Sequence, residues 1–289
     1  MVDGATVIFV HLPKTGGVTL TSILKRQYRR EMVYPFDPTD RGAPERLRNL
    51  PEQERREIKL IHGHMSFGLH KLLSQPATYI TLLRHPVARA VSDYRFVSTN
   101  PWHPLHNEVK KMSLSTYLQS GATGQLSNGQ TRLLSGDCDG DRVGMPTRSP
   151  MSKKDLDSAK QNIRHHFSVV GLQEHFDRSL VLIAQALGWR RTPYYVRANV
   201  TVSKVRSQPI SKEDIALIQQ QNALDIELYD FVKRRFLSEL NTQGARYHIG
   251  LAKLRALNAG YKVGTFLTLD SRSTPNLRNS VGAVLRRIR

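Results

Sequence analysis

The chain has 289 residues, 39% hydrophobic and 23% charged, a balance that excludes a disordered polypeptide and suits one large α/β domain with a tail. Lys and Arg number 43 against 24 Asp and Glu, so the formal net charge of +19 calls for anionic partners; no zinc-finger, RNP or basic-zipper pattern is present, and nucleic acid is not expected. The single cysteine, Cys138, excludes an intramolecular disulfide, and no run reaches the roughly 18 apolar residues of a membrane helix.

The first informative stretch is Val7-Ile8-Phe9-Val10-His11-Leu12-Pro13-Lys14-Thr15-Gly16-Gly17-Val18-Thr19-Leu20. Its apolar, β-branched start predicts a buried strand over 6–10, Pro13 and Gly16-Gly17 predict a tight turn, and helical spacing runs from Gly17 to about Tyr28. A glycine turn that opens a helix presents unpaired N–H groups and the positive end of the helix dipole, so phosphate is the natural guest. Lys14 precedes both glycines, which rules out the Walker A order; Thr15 and Thr19 are candidate hydroxyl donors. Residues 35–56 are Pro-rich and then charged, with a short helix near Pro51 and no assigned chemistry.

Lys59-Leu60-Ile61-His62-Gly63-His64 predicts a short strand whose end places His62 and His64 at the crevice of a parallel sheet. An imidazole there suits proton acceptance from a hydroxyl; a metal pair is the other reading, and no matching ligand cluster surrounds it. Residues 78–83 predict a further strand, and Pro86 opens a helix through Phe96 that puts Ser92 eight residues after Arg84. Arg84 and Ser92 can face one phosphate, whereas Arg89 and Arg95 read as solvated helix charges. In the loop 100–106, Trp102 and His103 are candidates for a sugar face. A helix is expected over 113–119. Arg132, in Asn128-Gly129-Gln130-Thr131-Arg132, is a candidate anion ligand, while Asp137 to Asp141 fails the EF-hand pattern.

Ser152 and Asp155 signal a capped helix to about Phe167, followed by a strand over 168–172 and a helix over 174–187. Lys204 and Arg206 sit in a basic loop before one long helix expected from Ser211 to about Phe236. Beyond Asn241 the only acid is Asp270, and basic amphipathic stretches around Leu251 to Asn258 and over Val281 to Ile288 suit an anionic membrane surface or a solvated tail.

Several of these stretches match one family. Pro13-Lys14-Thr15-Gly16-Gly17 resembles the 5′-phosphosulfate loop of sulfotransferases that use 3′-phosphoadenosine 5′-phosphosulfate (PAPS), in the carbohydrate branch containing heparan sulfate 2-O-sulfotransferase-like enzymes. Arg84 with Ser92 resembles their 3′-phosphate site, His62-Gly63-His64 their His-Gly-His, and Asn128 to Gly136 their Asn-x-Gln-Thr-Arg stretch, so the likeness covers about residues 5–237. His85 departs from the acid or amide common there. The resemblance implies a P-loop-like three-layer fold with a central parallel sheet flanked by helices, a sulfotransferase domain at 1–240 and a basic extension at 241–289. It implies PAPS as co-substrate, no metal, and a carbohydrate or glycolipid acceptor. It further implies His64 as general base beside His62, Lys14 at the developing charge, backbone N–H groups of Thr15, Gly16, Gly17 and Val18 on the 5′-phosphate, and Arg84 with Ser92 on the 3′-phosphate. Arg132 would contact acceptor or phosphosulfate, and Lys204 and Arg206 the adenosine phosphates. Animal members carry a Golgi membrane anchor; here the start Met1-Val2-Asp3-Gly4-Ala5 shows no such segment, and a bacterial-type cytoplasmic enzyme, peripheral to the inner membrane face, is the expectation. The alternatives are a P-loop-type kinase using ATP and Mg²⁺ and a non-enzymatic basic polyanion-binding protein.

Overall fold

A computed structural model describes residues 5–37, 40, 42–123, 126–136, 149–195 and 209–270, with 261–270 as helix backbone. Cys138, Lys204, Arg206, the acid-rich run 137–141 and the stretch 281–288 lie outside the described residues.

Strand β1 (Thr6–Val10) is buried along its whole length and lies at the centre of a five-stranded sheet of order β2-β3-β1-β4-β5. Its neighbours are β2 (Val33–Phe36), β3 (Leu60–Gly63), β4 (Ala77–Leu83) and β5 (Phe167–Leu172), and every pairing is parallel. A sheet buried on both faces needs continuous apolar runs, which is what β1 and β4 supply. Helices follow in the order α1 (Gly17–Gln27), α2 (Ala43–Asn49), α3 (Glu52–Glu57), α4 (Pro86–Thr99), α5 (His106–Val109), α6 (Leu114–Gln119), α7 (Gly129–Ser135), α8 (Lys153–His166), α9 (Phe176–Ala186), α10 (Lys212–Gln221), α11 (Ala223–Asn241) and α12 (Ala245–Asp270). This is the expected central parallel sheet with flanking helices, and the capping box at Ser152 and Asp155 opens α8 as read.

Strand β2 was not expected, because Pro35 sits inside it and proline removes a ladder donor. Its place at the sheet edge, paired only to β3, is where a proline strand is tolerated. The single helix expected over 211–236 is two. Asn222 breaks it because its side-chain amide donates to the carbonyls of Leu126 and Ile218 and accepts from the Asn128 N–H (2.8, 3.0 and 3.1 Å). Arg89, read as solvated, is 1% exposed and lies 3.7 Å from buried Asp225. Helix α12 packs on α9, and its Tyr247, Leu251 and Leu254 belong to the main core, so the segment drawn from residue 241 opens inside that core. A second, smaller core of Val91, Val97, Tyr117 and Ile218 joins α10 to α4 and holds a cleft between them.

Candidate functional site

The register aligns Val10 with Gly63 on one side and with Thr81 on the other, so the segments that follow β1, β3 and β4 leave the sheet at one end. Two cavities open there. One, of about 990 Å³, lies between the β1–α1 loop, α4 and α10 and is lined by Lys14, Arg84, Ser92, Arg95, Phe96 and Ile215 among others. The other, of about 670 Å³, is lined by His11, Lys25, Asp37, His62 and His64.

The loop that borders the first cavity is tightly specified. Lys14 has φ 67° and Gly16 φ 86°, both left-handed, and the buried Thr15 hydroxyl donates back to the Leu12 carbonyl at 2.8 Å. That bond closes the turn, so Thr15 serves the loop with its hydroxyl. The Leu20 N–H reaches the Gly16 carbonyl at 3.3 Å, leaving the N–H groups before it outside the helix ladder of α1. Gly17 answers a different need. A Cβ there would lie 2.0 Å from the His11 ring, so only glycine lets that ring pack against the start of α1.

Arg84 donates through Nη1 to the Lys14 carbonyl at 3.1 Å, tying the end of β4 to the loop. The Gln130 side chain pairs with both Arg84 backbone groups, accepting from N–H at 3.0 Å and donating to the carbonyl at 2.9 Å. Asp225 in turn accepts from the N–H groups of Gln130 and Thr131 at 3.0 and 2.7 Å. A buried polar chain therefore runs from α11 through α7 to Arg84. The Lys14 ammonium rests 3.6 Å from the centre of the Phe96 ring, a cation–π contact. Burial lowers the pKa of both cations; Asp93 opposes the shift at Lys14 and Arg84 adds to it, while Glu174 opposes the shift at Arg84 and Arg89 and Arg95 add to it. No acid lines this cavity among its described residues, so the two cations face it without a carboxylate on the wall.

The histidines form a different environment. His64 Nδ1 lies 2.7 Å from the His11 carbonyl, and the two rings stack with centroids 4.2 Å apart. A carbonyl only accepts, so Nδ1 carries the proton and the lone pair of the neutral ring is on Nε2. Burial pulls His64 below its ordinary value, partly opposed by the His11 carbonyl and Asp37. Burial takes His62 down to about 4, with Lys25 adding to it, and takes His11 to about 3, with His64, His62 and Lys14 adding to it. All three are neutral at pH 7.

The structure thus brings Lys14, Arg84 and Ser92 to one cavity and His62 and His64 to its neighbour, with His11 between the loop and His64. Val18 lines the histidine cavity, whereas Thr19 lines neither. Arg132 is 6% exposed, donates to the Ser149 carbonyl at 2.6 Å and lines neither cavity. Trp102 is 92% exposed, while the His103 ring meets the edge of Phe96 at 5.8 Å, at the rim of the first cavity. The sequence reading missed His11, the cavity wall from Arg95, Phe96 and Ile215, and the Asp225–Gln130 support. The only prior signal was the Asn-x-Gln-Thr-Arg match around Gln130. Among the described residues no cluster of His, Cys, Asp or Glu has the makings of a metal site, and no helix is long and apolar enough to cross a membrane.

A sequence model of the galactose-3-O-sulfotransferase family matches residues 3–264. Bovine galactose-3-O-sulfotransferase 3 is 26% identical over 255 residues, covering 83% of this chain and 58% of its own length. Mouse heparan-sulfate 6-O-sulfotransferase 2 is 26% identical over 309 residues, covering 90% of this chain and 49% of its own. The chain spans roughly half the length of these relatives. A solved mouse sulfotransferase complexed with PAP aligns at a TM-score of 0.36 and 16% identity, over 78% of this chain and 66% of that one. The two sequence relatives are named for 3-O- and 6-O-sulfation of carbohydrates, whereas the His62-Gly63-His64 likeness drawn from the sequence is to the 2-O branch. The chain belongs to the galactose-3-O-sulfotransferase family.

Proposed function

We propose that the protein transfers a sulfuryl group from PAPS to a hydroxyl of a carbohydrate acceptor. The observation that carries this reading is the pairing of two adjacent cavities at one end of the sheet. One presents Lys14 and Arg84, joined through the Lys14 carbonyl, with no acid on its described wall; the other presents His64 with its tautomer set. Two partly buried cations in a cleft with apolar walls fit a nucleotide that carries anionic groups at both its 3′ and 5′ positions. When bound, PAPS supplies the activated sulfuryl group and a phosphate leaving group.

The chain's own residues divide the remaining work. Arg84 and Ser92 hold a phosphate on the α4 side, and the free N–H groups of the β1–α1 turn hold another at the start of α1. Lys14 places its ammonium where charge builds as the phosphate departs. His64 accepts the acceptor hydroxyl proton on Nε2, while the His11 carbonyl keeps Nδ1 protonated and orients the ring. The neutral His11 ring stacks on it, and neutral His62 lines the same cavity, so neither places a positive charge beside the base. The relatives are named for galactose and heparan sulfate, which makes galactosides and heparan fragments the first acceptors to try.

Calorimetric titration with 3′-phosphoadenosine 5′-phosphate and, separately, with ATP and Mg²⁺ tests the donor. The bisphosphate should bind, ATP should bind weakly, and Arg84→Ala should weaken the bisphosphate roughly 10- to 100-fold, as expected for lost charge-assisted hydrogen bonds. Preference for ATP with Mg²⁺ would instead favour a kinase, and absence of any nucleotide binding a polyanion-binding module.

A further inference from the structure

A third cavity lies away from the site just described. It has a volume of about 380 Å³ and is walled by the end of α9, the segment Trp189 to Pro193 and the first two turns of α12. Phe176 at the start of α9 lies 3.5 Å from a Cβ built on Gly16, so α9 begins at the phosphate loop. Its 11 residues then carry the chain about 15 Å away at 1.5 Å per residue, to the far end where this cavity opens. Helix α12 runs back along α9: a Cβ on Gly250 would sit 3.3 Å from Val181 near the far end, while Arg255 faces Asp177 at 3.8 Å near the other.

Four cations surround the cavity, Arg190, Arg191, Arg246 and Lys253. All four are exposed, none forms an ion pair among the described residues, and no acid is among the residues that line it. Like charges gathered in one concavity repel one another, and no described residue lining the cavity supplies a counter-charge. On α12 the residues 246, 249, 250 and 253 form one helical stripe, next to the stripe of Tyr247, Leu251 and Leu254 that enters the core. Within that outward stripe stands Ile249, 55% exposed, an apolar side chain flanked by Arg246 and Lys253, with Trp189 across the cavity. A free phosphate has no use for the isoleucine. A bilayer has a use for both kinds of group: cations meet headgroup phosphates, and an aliphatic side chain enters the acyl boundary.

We propose that this cavity docks the protein on an anionic bilayer, with a phospholipid headgroup phosphate among Arg190, Arg191, Arg246 and Lys253 and Ile249 dipping beneath the headgroups. The docking face stands at the opposite end of α9 from the phosphate loop. It leaves the two cavities at the sheet end open to solvent, and it does not depend on which group they transfer.

The test is co-sedimentation of the full chain with phosphatidylcholine vesicles with and without phosphatidylglycerol. The wild type should pellet only with the anionic vesicles. Arg191→Glu with Lys253→Glu should lower the partition coefficient roughly tenfold or more, each basic residue near such a surface counting for about a factor of five. Ile249→Ser should lower it a few-fold with the charge unchanged, and neither variant should alter the melting temperature. The sequence after Asp270 has five arginines and no acid, so the cavity variants are made in the full chain. Unchanged binding in the double variant would move the interaction to that tail and overturn the proposal. So would displacement from vesicles by millimolar glycerol phosphate, which would make the cavity a free-phosphate site. Loss of heparin retention in the double variant with vesicle binding intact would assign it to an acidic polysaccharide instead.

Discussion

On one side of the segment His11 to Lys14 the cavity is lined by Lys14, Arg84 and Arg95; on the other it is lined by His11, His62 and His64. Burial lowers the pKa of every one of these groups for which a shift is seen, and yet the two walls end in opposite states. Lysine and arginine start several units above neutrality and stay charged, while histidine starts near 6.5 and is driven out of its charged form. One dielectric environment thus leaves a cationic wall and a neutral imidazole wall side by side. The backbone does the dividing: the Lys14 carbonyl receives Arg84, and the His11 carbonyl receives His64.

The sharpest way to break the comparison is His64→Ala. Loss of a positioned base should cut kcat about 10²- to 10⁴-fold while binding of 3′-phosphoadenosine 5′-phosphate stays within a factor of two or so. An equal loss of nucleotide affinity would show that the cavities are one site energetically. Next in size is Asp225→Asn, which removes the carboxylate facing buried Arg89 and holding the N–H groups of Gln130 and Thr131. Breaking a buried pair of this kind should cost about 3–5 kcal/mol in urea unfolding. A variant with wild-type stability would mean the chain from α11 to Arg84 carries little.

Acidification probes the histidine wall, together with His70, which burial also takes down to about 4. His11 sits at about 3 in the folded protein against an ordinary 6.5, so between those values the unfolded chain binds more protons. Stability should therefore be full above about pH 7 and fall as pH drops, by up to about 2 kcal/mol at pH 5 from His11, with His62 acting in the same direction. A melting temperature that rises between pH 7 and pH 5 would contradict a neutral His11. The acid limb of kcat/KM should likewise lie below pH 6.5, because His64 is depressed and not raised. The smallest effect is expected at Trp102. At 92% exposure its replacement by alanine should change stability by less than about 0.5 kcal/mol and leave KM for a sugar acceptor near wild type. A tenfold rise in KM would restore the sugar contact that the sequence suggested.

Where local composition and tertiary environment agree, sequence and structure coincide. Strands β1, β3, β4 and β5 are apolar runs bounded by turns, and the family resemblance implied the parallel sheet they form. The sequence pointed to Lys14, Arg84, Ser92, His62 and His64 as residues that bring charge or imidazole to the end of such a strand or to the helix after it, and the structure puts them on the walls of the two cavities. What escaped reading depends on partners far along the chain. Pro35 is acceptable in β2 only because that strand is at the edge, which no local pattern states. Arg89 looks like any helix-surface arginine until Asp225, 136 positions later, is folded against it. Asn222 reads as an ordinary helical residue, and it ends a helix because Leu126 and Asn128 are there to be bonded. His11 stood in plain view inside the loop motif, but its role rests on a ring stack with a residue 53 positions away.

Lys14 holds a left-handed backbone at φ 67°, a conformation that costs a side-chain-bearing residue about 1 kcal/mol or more and a glycine nothing. Selection for thermal robustness alone would drift this position toward glycine, and the turn between β1 and α1 would be the easier for it. On the function proposed above, its occupation by lysine marks a position where robustness and sulfuryl transfer pull in opposite directions. Directed evolution of a hardier variant should then find its gains elsewhere, or lose the ammonium and with it the proposed transfer.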